Sequence, residues 1–401
     1  MSFNQAVKQA VYFDILVSDV IITVPGDYPT IQAALDTLAK TFIPPDVTLT
    51  IKLGAGVSTF TAPTKINHAN GDRIVIEGTA PVVAGNISSF GGATVSGADV
   101  IFSYTLATTS HGLAVGDIVS VNATGGTGHW HGLILAGAVN TVSGAVVTVK
   151  TKFGGTVANL SGASLTGGQM KKYPTVLKYN GSRGIVIDPG VSLAALRNVA
   201  IVGNGVKDPI DTGGNFTFGI LANQRSEITE LNSVVVTGFF SDGVLAWGTG
   251  AYIWMKNTYL CGNGQNGARS GCGGFMYSVD TIAHGNGYSG LAYLTGSNGC
   301  GCENTNAVGN KIHGVHVDGC SVTGKGVIAA HNTKNGFCID RFGEIALDGS
   351  NSKAFSNGGN FDVVVNYVGY VAAAGMTGHN GVTPRYWPAA NVNSVYGYIE
   401  A

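Results

Sequence analysis

The chain reads as all-β, a parallel β-solenoid, on three observations. One short phrase recurs between positions 242 and 362, starting at Gly243, Gly267, Gly290, Gly314, Gly336 and Phe361, at intervals of 22–25 residues. An asparagine stands four residues before each of the last five starts: Asn263, Asn286, Asn310, Asn332 and Asn357. The phrases themselves (GVLAW, GLAYL, GVHVD, GFCID) alternate like strands, with glycine between them and few helix formers. One coil of this size cannot bury its own apolar side, so coils stack at the strand spacing of about 4.8 Å. Equivalent residues then form columns. An asparagine column suits such a stack, because each amide donates to one neighbouring coil and accepts from the other. A second polar column lies six residues further back, through Asn257, Asp280, Asn304, Gly326 and Asn351.

Composition narrows the function. Of 401 residues 61 are glycine, only 11% are charged, and the formal net charge is −1 with no basic block. That balance excludes nucleic acid as partner and suits a polysaccharide met through hydrogen bonds and ring stacking. No stretch is long and apolar enough for membrane insertion, and Lys8, Asp14 and Asp19 interrupt any signal peptide. All six cysteines lie in the repeats, without the spacing of a zinc site. They are expected as free thiols, and neither a metal nor a cofactor is expected.

Along the chain, residues 1–24 form an arm. Residues 25–100 hold a helix with Ile31, Ala34, Leu35 and Leu38 on one face, then the first strands (TLTIKL, RIVIE). Such a helix plugs the open end of a solenoid. From 101 to 168 the rhythm stops. HGLAVGDIVSV and the hairpin NTVSGAVVTVKT there predict a small inserted antiparallel β-domain. His129-Trp130-His131, in a Gly-rich loop of that segment, reads as packing or sugar stacking, with metal binding as the alternative. The main solenoid occupies 169–366, interrupted by a long loop that carries Asp208 and Asp211. Residues 367–401, rich in tyrosine and tryptophan, are expected to cap the far end or pack against sister chains.

The columns also assign faces. Positions one and three after each start (Val244, Ala246; Leu291, Tyr293; Val315, Val317; Phe337, Ile339) should point inward. Positions two and four should face solvent, which puts Trp247, Arg269, His316, Asp318 and Asp340 on one sheet surface. Asp318 and Asp340 fall in one column on successive coils, so their carboxylates should lie about 5–6 Å apart, near the separation used by retaining glycosidases. Like charges that close should raise one pKa, giving one acid and one base or nucleophile. His316 can orient or share a proton. The plain alternative is that both are solvated strand-end residues. Trp247 and Arg269 on the sheet, with Asp208 and Asp211 in the loop, are the expected substrate-binding residues. A lyase would instead draw on Arg269, His316, Lys311 and Tyr288 for base and cation.

The opening residues VPGDYPTIQAALDTLAK, TIKLGAGVSTFTAPTKI and RIVIEGT resemble those of right-handed β-helix proteins of the pectate-lyase-like superfamily. In particular they are similar to bacteriophage tailspikes, whose inserted β-domain carries an H-G-L-x-x-G-D-x-V phrase like that at His111. The resemblance implies a right-handed helix and a spike that binds and cleaves a bacterial capsule, O-antigen or exopolysaccharide. It further implies a homotrimer at the virion tail, beside other tail proteins. A non-catalytic receptor-binding spike and a polysaccharide lyase are the alternatives on the same fold.

Overall fold

The computed structural model describes residues 14–206, 217–297, 300–348, 351–373, 376–378, 384–390 and 397–400. Among these residues, the coils along the middle of the stack each give a strand to each of three parallel sheets. The first sheet has 13 strands, running from Val20–Val24 to Gly397–Glu400. The second has nine, from Gly56–Phe60 to Lys353–Phe355. The third has ten, from Thr64–Ile66 to Tyr386–Trp387. The repeat starts seen in the sequence are the third-sheet strands, and the chain visits the third, first and second sheets in that order. All eight side chains predicted to point inward are fully buried in one core that runs the length of the helix. The middle residue of each second-sheet strand (Ile201, Val236, Leu260, Ala283, Ala307) joins them.

The helix spans Ile31–Leu38, and Thr30 caps it by accepting from the Ala33 N–H at 3.0 Å. Ile31, Ala34 and Leu35 pack on the apolar end of the first coils and close the core there.

Both polar columns have a physical reason. At the bend between the first and second sheets Asn257, Asp280, Asn304 and Gly326 have φ of 48°, 49°, 47° and 63°. This left-handed region is open to glycine and tolerated by Asn and Asp, which accounts for the residue types. The other column is a continuous amide ladder. The Nδ2 groups of Asn263, Asn286, Asn310 and Asn332 each donate to the Oδ1 of the next asparagine at 3.0–3.1 Å, and to a carbonyl of the preceding coil. Asn357 ends the ladder by donating to Asp362 Oδ1 at 3.0 Å.

Asp362 is itself clamped by Arg385, whose Nε and a terminal nitrogen reach its two oxygens at 2.9 and 3.1 Å. Burial pushes this carboxyl up, but the Arg385 and Asn357 hydrogen bonds prevail and hold it below the ordinary value of 3.8. A folded-state pKa below the unfolded one gives stability that is present above the unfolded value and lost as pH falls through the folded one. The melting temperature should therefore drop as pH falls below about 4. Asp362→Asn should flatten that drop while lowering stability at pH 7. Melts of both proteins from pH 7 to pH 3 check this.

Six antiparallel strands (Val82–Ser96, Asp99–Leu106, Ile118–Asn122, Leu135–Ser143, Val146–Thr151, Gln169–Lys172) close into a barrel. It begins at Val82 rather than near 101. The strand Val82–Ser96 is Gly- and Ser-rich, mostly solvent-facing and twice irregular in register, so it carries no period-two signal. Phe102, Tyr104, Val119, Val121, Leu135 and Met170 fill the interior. Outside, Ile118, Ile134, Ala136 and Tyr173 pack on Val235, Tyr259, Cys261 and Ile282 of the second sheet. His129 meets His331 edge-on at 4.9 Å and His284 lies 5.3 Å from Phe153, so the His129-Trp130-His131 segment belongs to this junction. The barrel covers the second sheet.

After position 366, Gly369–Ala372 and Gly397–Glu400 extend the first sheet and Tyr386–Trp387 the third. All six cysteines are free thiols, five of them buried and Cys272 exposed.

Candidate functional site

The third-sheet strands Val244–Trp247, Ala268–Gly271, Leu291–Tyr293, Val315–Asp318 and Phe337–Asp340 pair in strict parallel register. His316 and Cys338 are neighbours in one outward column, and Asp318 and Asp340 in the next. The predicted trio is thus brought together on two adjacent coils.

Its surroundings differ from the open, flat face expected. Leu245, Ala292, Cys338 and Asp318 are buried, and His316 and Asp340 half-buried. Leu245 is covered by Phe218 and Leu221, and the short side chains lie below taller neighbours. Exposure on a sheet is set by neighbour height as well as by the pleat.

The charges are paired. Asp318 receives a two-pronged contact from Arg341, Nε to Oδ1 at 2.7 Å and a terminal nitrogen to Oδ2. Asp340 Oδ2 meets His316 Nε2 at 2.9 Å and the Cys338 thiol at 3.7 Å, while Oδ1 accepts from Asn366 Nδ2 at 2.9 Å. Burial raises the Asp340 carboxyl, but the hydrogen bonds from His316 and Asn366 outweigh it and bring it below the ordinary range. For Asp340 the shift is downward: a hydrogen-bonded carboxylate with a histidine beside it favours ionisation. His313 and Tyr288 pack against the His316 ring, at 5.5 and 6.4 Å between centroids. Burial lowers the His313 pKa to about 3, so that ring is neutral.

Two coils away, Arg269 is not a free cation. It pairs at 2.8 Å with Asp242, a fully buried residue one position before the first repeat start, and sits 5.4 Å from the Trp247 ring centre. Trp247 stays 37% exposed and lies across Gly271 of the next coil, where a Cβ would come within 2.7 Å of its ring. Asp208 and Asp211 lie outside the described residues.

Sequence reading missed a second aromatic surface, because it followed only the repeat starts. On the first sheet Tyr252 pairs in register with Phe275, and Trp254 with Tyr277 and then Gly301. Trp254 is 37% exposed, and Tyr277 leans over Gly301 as Trp247 does over Gly271. The available signal was an aromatic on one coil with glycine in the same column of the next. A polar groove of about 420 Å³ also runs between barrel and helix, lined by Asn122, Lys171, Asn257, Asp280 and Asn304 among others.

The ladders and the barrel decide the architecture. The chain is a parallel β-helix. No family model matches this β-helix, and no curated protein matches it in sequence. It is similar to the solved tailspike protein gp49 from Pseudomonas phage LKA1, at 12% identity over 88% of this chain and 70% of that one, with a TM-score of 0.24. It is similar to XylC, solved with xylose, at 9% identity over 88% and 69%, with a TM-score of 0.33. A third likeness is to the enzymatically active domain of bacteriophage CBA120 tailspike protein 2, at 12% identity and a TM-score of 0.29. There the β-helix is covered for 79% of its length and spans 54% of the other chain.

Proposed function

We propose that the chain is a phage tailspike, acting as a homotrimer at the virion tail, that binds and depolymerises a bacterial surface polysaccharide by glycoside hydrolysis. The observation that carries this reading is the His316–Asp340 pair at 2.9 Å, beside Asp318, on a half-open sheet face. Asp340 holds the imidazole in place through its Nε2, so His316 is the group that gives a proton to the leaving oxygen or takes one from water. Asp318 and Asp340 supply the negative charge that a developing oxocarbenium ion needs. Trp247, with Arg269 against its ring, offers a flat apolar face of the kind sugar rings stack on. The Tyr252, Trp254, Phe275 and Tyr277 surface extends that binding area.

A non-catalytic receptor-binding spike is the second reading. It is favoured by one feature: both carboxylates are already engaged, Asp318 by Arg341 and Asp340 by His316 and Asn366. A lyase is disfavoured because Arg269 is neutralised by Asp242.

The test is incubation with a panel of bacterial surface polysaccharides, following new reducing ends together with the ultraviolet absorbance of unsaturated uronates. Reducing ends alone are expected. Both signals would make the protein a lyase, and silence with a polysaccharide shown to bind would make it a pure binder. On the polysaccharide that binds, Trp254→Ala should weaken affinity about tenfold, or about 1.4 kcal/mol, by titration calorimetry. Unchanged affinity would remove the first sheet from the binding surface.

A further inference from the structure

Three donor atoms of different kinds meet on the third sheet. His316 Nε2, Cys338 Sγ and a carboxylate oxygen of Asp340 all lie within 4.8 Å of one another. They come from two hydrogen-bonded strands, Val315–Asp318 and Phe337–Asp340, whose register is fixed by the coils above and below. The convergence is on a single atom. Asp340 Oδ2 faces both the His316 ring nitrogen at 2.9 Å and the Cys338 thiol at 3.7 Å.

We propose that His316, Cys338 and Asp340 form a binding site for a divalent transition-metal cation of the zinc class. A nitrogen, a sulfur and an oxygen donor select a borderline-soft ion over calcium or magnesium, which take oxygen ligands. Metal–ligand bonds of about 2.0–2.3 Å in a tetrahedron put ligand atoms about 3.3–3.7 Å apart. Two of the three separations, 2.9 and 3.7 Å, bracket that range, and the third lies within 4.8 Å.

The surroundings support the same conclusion. Asn366 holds the other oxygen of Asp340, which leaves Oδ2 aimed at the shared position. Tyr288 and His313 pack on the His316 ring and limit its rotation. Of the cations nearby, the Arg341 guanidinium is paired with Asp318. A metal is ligated by the thiolate, so its entry displaces the thiol proton of Cys338. The His316 imidazole offers Nε2 to the ion and carries its proton on Nδ1. Thiolate and carboxylate together balance the charge of a divalent ion. Three protein ligands leave a fourth position for water, on the side where His316 and Asp340 reach solvent.

The inference does not depend on the saccharide reading, although the ion would occupy atoms assigned there to proton transfer. The test is a Co²⁺ titration of chelator-stripped full-length protein. One equivalent should give a thiolate-to-cobalt band in the near ultraviolet and intense visible bands, and Zn²⁺ should bleach both. Cys338→Ser should lose the near-ultraviolet band, His316→Gln should weaken binding at least tenfold, and Cys272→Ser should change neither. Circular dichroism and melting of each variant establish that it is folded. If Cys338→Ser does not fold, His316→Gln alone decides. No band in the wild type, a band that survives Cys338→Ser, or one that vanishes in Cys272→Ser overturns the proposal. A band without cleavage of any polysaccharide sinks the hydrolase and leaves the cation site. Cleavage without a band does the reverse.

Discussion

Asn310→Ala should cost about 3–5 kcal/mol of stability, measured by urea or thermal unfolding, the largest loss expected from one polar side chain in this molecule. Asn310 is completely buried and makes contacts on both sides. Its Nδ2 donates to Ala283 O and Asn332 Oδ1, and its Oδ1 accepts from the backbone N–H and the Nδ2 of Asn286, all at 3.0–3.1 Å. Truncation strands two donors of Asn286 and the carbonyl of Ala283 with no route for water. Each buried group left unsatisfied costs about 1–3 kcal/mol. Thr229→Ala, an exposed position on the first sheet, should change stability by less than about 0.5 kcal/mol. If Asn310→Ala melts with the wild type, the ladder is ornament rather than support.

The ladder was legible because an in-register stack forces identical solutions on successive coils, so Asn263 to Asn357 recur where chemistry repeats. The inward set at Val244, Leu291, Val315 and Phe337 was legible for the same reason. What stayed hidden depends on contacts that do not repeat. Asp242 is the partner of Arg269, yet it stands outside the phrase. Arg341 reaches back one coil to Asp318 from a turn. Cys338 was assigned to solvent by the pleat and is buried by what stands around it. The barrel's first strand, Val82–Ser96, lacks alternation because neither of its faces is wholly buried.

Asp340→Asn should reduce kcat for polysaccharide cleavage by about 10²–10⁴-fold and leave binding within a few-fold. The amide keeps the shape and one acceptor, so the hydrogen bonds to Asn366 and His316 can be partly retained. It no longer sets a negative charge beside His316. Asp318→Asn should also slow cleavage, since a single hydrogen bond then replaces the two-pronged Arg341 contact and the negative charge is gone. Reducing-end assays alongside binding titrations separate the two effects. Wild-type rates in both variants would move the chemistry away from this pair.

The amide ladder has a direction. Between side chains, every Nδ2 from Asn263 onward donates to the following one, and the last one meets a carboxylate, which accepts but cannot donate. Asp362 is therefore a terminator, and Arg385 is the counter-charge that lets the terminator stay buried. The asparagine ladder cannot be continued past Asp362, although strands of the first and third sheets run on beyond it. New coils have to be spliced in upstream, between two asparagines, where each amide finds a donor on one side and an acceptor on the other.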